Sequence, residues 1–361
     1  MATAWQEFLT HEGAHIDEDG ALSLPQQLSS DAYFDKNCIT DLSYLGLLQI
    51  SGPDTDKFLQ GQLTCDLKAI TPQQSKLGAC CTPKGRMVTN FSAVRTDEHQ
   101  IQLVMAKEIV ASTLQHLSKY AVFFKAELSD ASNTWIRMVI SGPDTRSTLS
   151  SLFAELPKSC DQITTHSDGF IIQVAPTASL NGTEASTAER FELWFKSHKE
   201  ATTAWQKIRT THEFVDHKVG RLLDIAAGIG RIETNTQELF IPQMLNLQAI
   251  KGVSFNKGCY TGQEIVARMQ YRGTLKRRMY RAQVKTDTPP LPGTECFGSD
   301  RSSQIGHIVN VTPLDEGRYE VLAVLENRAV KKNDTMLFQQ DGPQLELENL
   351  PYTIELENTE D

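Results

Sequence analysis

One six-residue string occurs twice, and it constrains the fold more than any other feature of the chain. Ile50-Ser-Gly-Pro-Asp-Thr55 returns ninety residues later as Ile140-Ser-Gly-Pro-Asp-Thr145. Each copy follows an apolar run, Leu45 to Ile50 and Trp135 to Ile140, that reads as a short strand. Gly-Pro-Asp then turns the chain, with Asp or Thr as the expected helix N-cap. Amphipathic stretches follow, Lys57-Phe-Leu-Gln60 in the first copy and Thr148-Leu-Ser-Ser-Leu-Phe153 in the second. Strand, tight turn and helix, repeated at one spacing, predict two related α+β units.

At 361 residues the chain is too long for one ordinary core. Past Arg278 its texture changes. Strand-like runs (Met279 to Val284, Ile305 to Val311, Tyr319 to Leu325) are separated by turns such as Pro289-Pro-Leu-Pro-Gly293, a pattern that predicts a small all-β barrel. The expected division is residues 1–275 and residues 276–361. Residues 179–189 are small and polar and read as a surface loop.

Hydrophobic residues make up 40% and charged residues 22%, the balance of a soluble globular protein. Apolar stretches such as Tyr120 to Phe124 are far too short to span a membrane, so no membrane partner is expected. Residues 1–35 contain no Lys or Arg, which fits neither a secretory signal nor an organelle presequence, and a cytoplasmic protein is expected. The seven cysteines (Cys38, Cys65, Cys80, Cys81, Cys160, Cys259, Cys296) form no C-x-x-C pair and no disulfide framework. The nine histidines are scattered, and His212 and His217, five apart, do not share a helix face, so no metal site is expected.

The densest chemistry lies between Phe240 and Gly273. Thr261 followed by Glu264 is a capping box, an apolar helical pattern continues through Ile265, Val266 and Met269, and Gly273 is the expected stop. Cys259 therefore falls just before a helix N-terminus, with Lys257 nearby and with Gly258 and Gly262 permitting close approach. Such surroundings lower a thiol pKa, and the thiolate is the reactive form. Among the seven cysteines, Cys259 has the case for reactivity. The alternative is a buried cysteine in a tight loop with Lys257 merely solvated.

The formal net charge of −10 argues against wholesale coating of nucleic acid. It is unevenly spread. From Lys251 to Arg281 stand eight basic residues (Lys251, Lys257, Arg268, Arg272, Lys276, Arg277, Arg278, Arg281) against one acid, Glu264. Arg268 and Arg272 share a helix face and repel unless an anion lies between them. The segment reads as a site for a polycarboxylate tail, a phosphate or a short piece of RNA, or as a face neutralised by the acidic residues 341–361. No G-x-S-x-G, H-E-x-x-H, P-loop or G-x-G-x-x-G occurs.

Lys257-Gly-Cys-Tyr-Thr-Gly-Gln-Glu264 resembles the K-G-C-[FY]-x-G-Q-E signature of the YgfZ-type folate-binding proteins. Phe240-Ile-Pro-Gln243, Asn246-Leu-Gln-Ala249 and Val266-Ala-Arg268 are similar to the same family. The likeness continues upstream through Asp41-Leu-Ser43, Ser51-Gly52, Phe58-Leu-Gln-Gly-Gln62 and Lys84-Gly85. The resemblance implies the fold of the glycine cleavage T-protein aminomethyltransferase, α+β units around a central folate site plus a C-terminal β-barrel. It implies tetrahydrofolate as cofactor and a role in making or repairing iron–sulfur enzymes, those that thiolate tRNA included. A cluster would be held at most in transit. Cys259 is the implied functional residue, within the motif Lys257, Gly258, Tyr260, Thr261, Gly262, Gln263 and Glu264. Arg268, Arg272, Gln243, Asn246 and Asn90 are the expected folate or anion contacts.

Three departures matter. Aminomethyltransferases carry a G-G-x-x-D-D stretch whose acid serves methylene transfer; here Gly85-Arg-Met-Val-Thr-Asn90 has no carboxylate. An amide cannot accept a proton or stabilise a developing cation as a carboxylate does. The relatives' pterin-anchoring Glu corresponds to Ala226, and tryptophans of some YgfZ proteins are replaced near Leu45 and Gly220. The expected function is therefore a folate-binding accessory protein whose partners are iron–sulfur enzymes or their assembly factors. Alternatives are a one-carbon transferase with a relocated carboxylate such as Glu233, and an RNA-binding factor acting through residues 251–281.

Overall fold

The computed structural model describes residues 3–17, 21–25, 36–177, 188–299, 301–315 and 317–354. The repeated string folds the same way in both places. Strand Leu45–Ser51 runs through Gly52 into helix Thr55–Gln60, and strand Ile136–Ser141 runs through Gly142 into helix Thr145–Leu152. Both glycines have positive φ, +125° and +127°. A Cβ on Gly52 would lie 2.4 Å from the Lys125 carbonyl oxygen, and one on Gly142 would lie 2.6 Å from Asn37 Cα. Asp54 and Asp144 occupy the N-cap positions, but neither side chain caps its helix. Each reaches sideways instead: Asp54 Oδ2 accepts the Lys125 N–H at 2.9 Å, and Asp144 Oδ2 accepts from Asn37 Nδ2 at 2.8 Å.

Those sideways contacts mark an exchange of strands. The first sheet has the order Lys76–Cys81, Met87–Asp97, Gln100–Ala106, Leu45–Ser51, Glu127–Asp130, all antiparallel. The second runs Ile163–His166, Gly169–Thr177, Ala188–Phe195, Ile136–Ser141, Cys38–Asp41, with the two-residue strand Glu213–Phe214 added in parallel. The strand that precedes each repeat is thus paired in the other unit's sheet. Helices Val110–Ala121 and His198–Ile208 occupy matching places after the fourth strand of each unit. Of the loop expected over residues 179–189, residues 179–187 lie outside the described residues. The last two are not loop: Ala188–Phe195 is a strand, closed on both sides by its neighbours.

The third sheet, from Arg277–Lys285 onward, is antiparallel in the order Met336–Leu337, Glu295–Gly298, Arg301–Asp315, Arg318–Glu326, Arg277–Lys285, Glu346–Glu348. It curls into a half-barrel. Its two edges are drawn together by the Met336–Gln344 bridge and by the Leu345 N–H on the Thr335 carbonyl at 2.9 Å. Of the acidic stretch 341–361, Glu346–Glu348 forms that edge strand, and residues 355–361 lie outside the described residues.

Helix His217–Ala226 joins the parts. Val219, Leu222 and Leu223 pack with Cys38 and Leu314, tying the second sheet to the third. The first unit's core (Leu48, Phe58, Phe91, Leu103) continues without a break into Phe240, Leu245, Val266 and the third-sheet residues Met279 and Val324. The second unit's core (Ile140, Leu149, Phe191, Trp205) is closed instead by Trp5 and Leu9 of the N-terminal helix Ala4–His11.

Candidate functional site

Three sequence segments that are far apart in the chain meet around residues 257–264. The loop after helix Thr55–Gln60 leaves backbone carbonyls without strand or helix partners. Lys257 Nζ donates to those of Gln60, Leu63 and Cys65 at 2.8, 2.6 and 2.9 Å. An ammonium has three N–H bonds, and here each has its own acceptor. Thr64 completes the dock: its hydroxyl donates to the Gly252 carbonyl at 2.7 Å, and its carbonyl accepts the Ser254 N–H at 2.9 Å. The Thr261 N–H meets the Gly61 carbonyl at 3.1 Å, and the Thr261 hydroxyl donates to Gln62 Oε1 at 3.3 Å.

Lys84 and Gly85 arrive from the other side. Gly262 has φ +85°, and a Cβ there would lie 2.5 Å from the Thr82 carbonyl oxygen. A Cβ on Gly85 would strike Ile265 at 2.9 Å. The capping box expected from Thr261 and Glu264 does not form. Gly262 takes the N-cap of helix Gln263–Tyr271, and its left-handed backbone turns the Thr261 hydroxyl away from the helix end and towards Gln62. Gly273 does not stop the helix through a left-handed cap either; the helix ends at Tyr271 with Arg272 as C-cap.

Within the motif, the side chains divide by direction. Tyr260 is buried, its ring 5.1 Å from Lys257 Nζ, and burial drives its phenol well above the ordinary value. Burial pulls Lys257 down to about 8, against the pull of Cys65 and Asp66. Lys257 is therefore a structural clamp and not a solvated charge. Cys259 and Gly258 are exposed at the apex, Gly258 with open space around it. Gln263 is half-buried and Glu264 exposed on the first turn of the helix.

The amide residues expected to bind a ligand are engaged with backbone. Asn90 Nδ2 donates to the Gly230 carbonyl at 2.6 Å, and its Oδ1 accepts the Ile232 N–H at 2.7 Å. Gln243 Nε2 donates to the Val266 carbonyl at 2.6 Å, and Asn246 Nδ2 to that of Met279 at 2.9 Å. All three are buried, and they hold the segment after helix His217–Ala226, the motif helix and the third sheet in register with one another. The basic segment is also less free than its composition suggests. Arg277 pairs with Glu326 at 3.3 Å, and buried Arg281 pairs with buried Glu320. Arg268 and Arg272 remain exposed.

Two cavities flank the centre, sharing a wall of Asp224, Ile229 and Arg231. The larger, about 680 Å³, lies between the sheets and is lined by Val94, Val104, Ile172, Val174 and Glu192. The smaller, about 340 Å³, has an apolar side of Tyr44, Leu45 and Ile225 and a polar side of Arg221, Asp224 and Glu233. Asp224 accepts from Arg190 at 2.7 Å and from Arg231 at 3.0 Å. Burial raises its carboxyl, but Arg231 and Arg190 outweigh burial and hold it below the ordinary range. Burial raises Glu233, which accepts from Asn310 Nδ2 at 3.0 Å and lies 3.5 Å from Arg221.

Residues 26–221 match the family model of the GCVT N-terminal domain. The tRNA-modifying protein YgfZ of Klebsiella pneumoniae is 31% identical over 343 residues, covering 92% of this chain and 97% of that protein. The chain belongs to the YgfZ family. The protein of the same name from Pectobacterium carotovorum is 32% identical over 310 residues, 85% of this chain and 89% of that one. Among solved structures, the glycine cleavage system aminomethyltransferase T of Bartonella henselae superposes with a TM-score of 0.70 over 96% of each chain, at 16% identity. That likeness establishes the fold.

In this YgfZ-family chain Leu45 lines the smaller cavity, and a Cβ on Gly220 would lie 2.8 Å from the Tyr44 hydroxyl. Tyr44 thus occupies the space beside Gly220. Sequence reasoning missed Tyr44, Asp224 and Arg231. The two ionic residues lie seven apart around a helix end, and nothing local distinguishes them from surface charges. Among the described residues no cluster of His, Cys, Asp and Glu is placed to hold a metal ion, and no helix is long and apolar enough to cross a membrane.

Proposed function

We propose that this chain is a folate-binding accessory protein for the synthesis or repair of iron–sulfur enzymes, those that thiolate tRNA included, and that Cys259 is its working thiol. One observation carries the reading. Lys257, Tyr260, Thr261 and Gly262 all face inward and fasten the loop, while Cys259 faces out. A loop this firmly anchored at both ends presents a thiol at a fixed place to a large partner.

Tetrahydrofolate suits the smaller cavity. A pterin is flat and apolar on its faces, with N–H donors along one edge. Tyr44, Leu45 and Ile225 offer the faces a surface, and Asp224 and Glu233 offer acceptors. Bound there, a reduced folate supplies a one-carbon acceptor and an oxidisable ring. Asn90 adds no proton acceptor, since both ends of its amide hold backbone, which favours an accessory role over methylene transfer. The second reading, a one-carbon transferase, rests on Glu233: burial raises its carboxyl, as general acid–base work requires.

The test is complementation of a deletion strain with Cys259→Ser, reading an iron–sulfur enzyme and thiolated tRNA, beside calorimetric titration of the purified protein with tetrahydrofolate. The variant is expected to fold and bind folate as the parent does, yet to restore neither readout. Full restoration overturns the role of the thiol. Folate affinity unchanged by Asp224→Asn and Glu233→Gln overturns the assignment of the cavity. Turnover of an N-methyl donor with tetrahydrofolate selects the transferase.

A further inference from the structure

Helix Gln263–Tyr271 buries Val266 and sets Ile265 against Gly85, which leaves its opposite side to solvent. Arg268 and Tyr271 lie three apart on the helix, Arg272 follows as its C-cap, and all three are exposed. Tyr271 is 69% exposed. Its ring is nonetheless oriented, edge-on to Phe255 with centroids 5.9 Å apart and planes at 70°. Neither arginine has an ion-pair partner among the described residues, and Glu264, one turn earlier, pairs with neither. Lys276 follows, also exposed. On a chain of net charge −10, this is a basic surface that carries an oriented aromatic ring.

Two free guanidiniums alone would suit any polyanion. The oriented ring narrows the choice, because the carboxylates of an acidic stretch give it no base-like face to stack on, whereas every nucleotide carries one. A nucleotide strand supplies both parts, phosphates for the arginines and bases for the ring. We propose that the Arg268–Tyr271–Arg272 face is a contact surface for single-stranded RNA, with a base stacked on Tyr271 and the flanking phosphates on the two arginines. This surface is independent of the folate cavity and of any chemistry at Cys259.

The experiment is fluorescence anisotropy of the full chain with a labelled single-stranded RNA of about twelve nucleotides, at several salt concentrations. Arg268→Glu with Arg272→Glu is expected to weaken binding at least tenfold and to lower the slope of log K against log salt by about 1.4. Tyr271→Ala is expected to weaken it about tenfold with the slope unchanged, since stacking carries no counterion release. Lys199→Glu with Lys207→Glu, an equal charge change at exposed lysines on helix His198–Ile208 of the second unit, is the control. Equal loss in the control, parental binding by the arginine variant or by Tyr271→Ala, or competition by polyglutamate as strong as by unlabelled RNA would each overturn the proposal. The last result would point to an acidic protein partner.

Discussion

The two α+β units share one strand order and one turn, but they use the loop after their first helix differently. In the first unit, residues 60–65 turn carbonyls outward and receive Lys257, Thr261 and Thr64's partners from the motif segment. In the second, the hydrogen bonds of residues 153–163 run within the unit and to Gln73 and Ser75 of the first. The cores differ accordingly: one is continuous with the motif helix and the third sheet, and the other is sealed by an added N-terminal helix. The repeat gives two equivalent frames. Only the frame with unsatisfied carbonyls became a dock, because buried carbonyls demand donors and a lysine from a distant segment can provide three.

The equivalence of the frames can be broken most severely at their turns. Gly52→Ala and Gly142→Ala each combine a positive φ with a Cβ inside 3 Å of backbone. Each is expected to cost about 3 kcal/mol or more in urea unfolding, by similar amounts. A cost several-fold larger in one unit would show that the two turns do not carry equal strain. Lys257→Met comes next. It strands three carbonyls and is expected to cost about 2 kcal/mol. The loss should be local: amide exchange quickens in residues 62–65 and 253–261, while helix Thr145–Leu152 keeps its protection. Uniform quickening would mean that the dock supports both units equally.

The repeat made strand, turn and helix legible in both units, since Gly-Pro-Asp fixes a turn whatever surrounds it. The strand exchange was not legible: Cys38–Asp41 and Glu127–Asp130 are four-residue strands defined only by their partners. At the site, the motif located Cys259 correctly at the foot of a helix. It could not reveal that Gly262 displaces Thr261 as the cap, because that depends on the Thr82 carbonyl pressing from another segment. For the basic segment the sequence offered neutralisation by residues 341–361, but the ion-pair partners of Arg281 and Arg277 are Glu320 and Glu326 of the neighbouring strand, which nothing in the local sequence marks.

The smallest effect separates the two turns by pH. Thr55 donates to the His99 carbonyl at 3.1 Å, a contact that does not titrate. Its counterpart Thr145 meets the His212 ring at Nε2, 3.2 Å away, and Thr211 holds Nδ1 at 2.8 Å. Burial lowers His212 from 6.5 to about 4, with Asp144 opposing. The folded protein therefore keeps a neutral ring where the unfolded chain binds a proton. The stability contributed by this neutral ring is complete above pH 6.5 and declines as pH falls through 6.5 towards 4. His212→Gln keeps an amide at the position and removes the titration. The urea midpoint of the parent should fall further between about pH 7 and pH 5 than that of the variant, since the substitution removes only this ring. If the two midpoints fall together, the second turn is as indifferent to protons as the first, and its difference from the first is one of geometry alone.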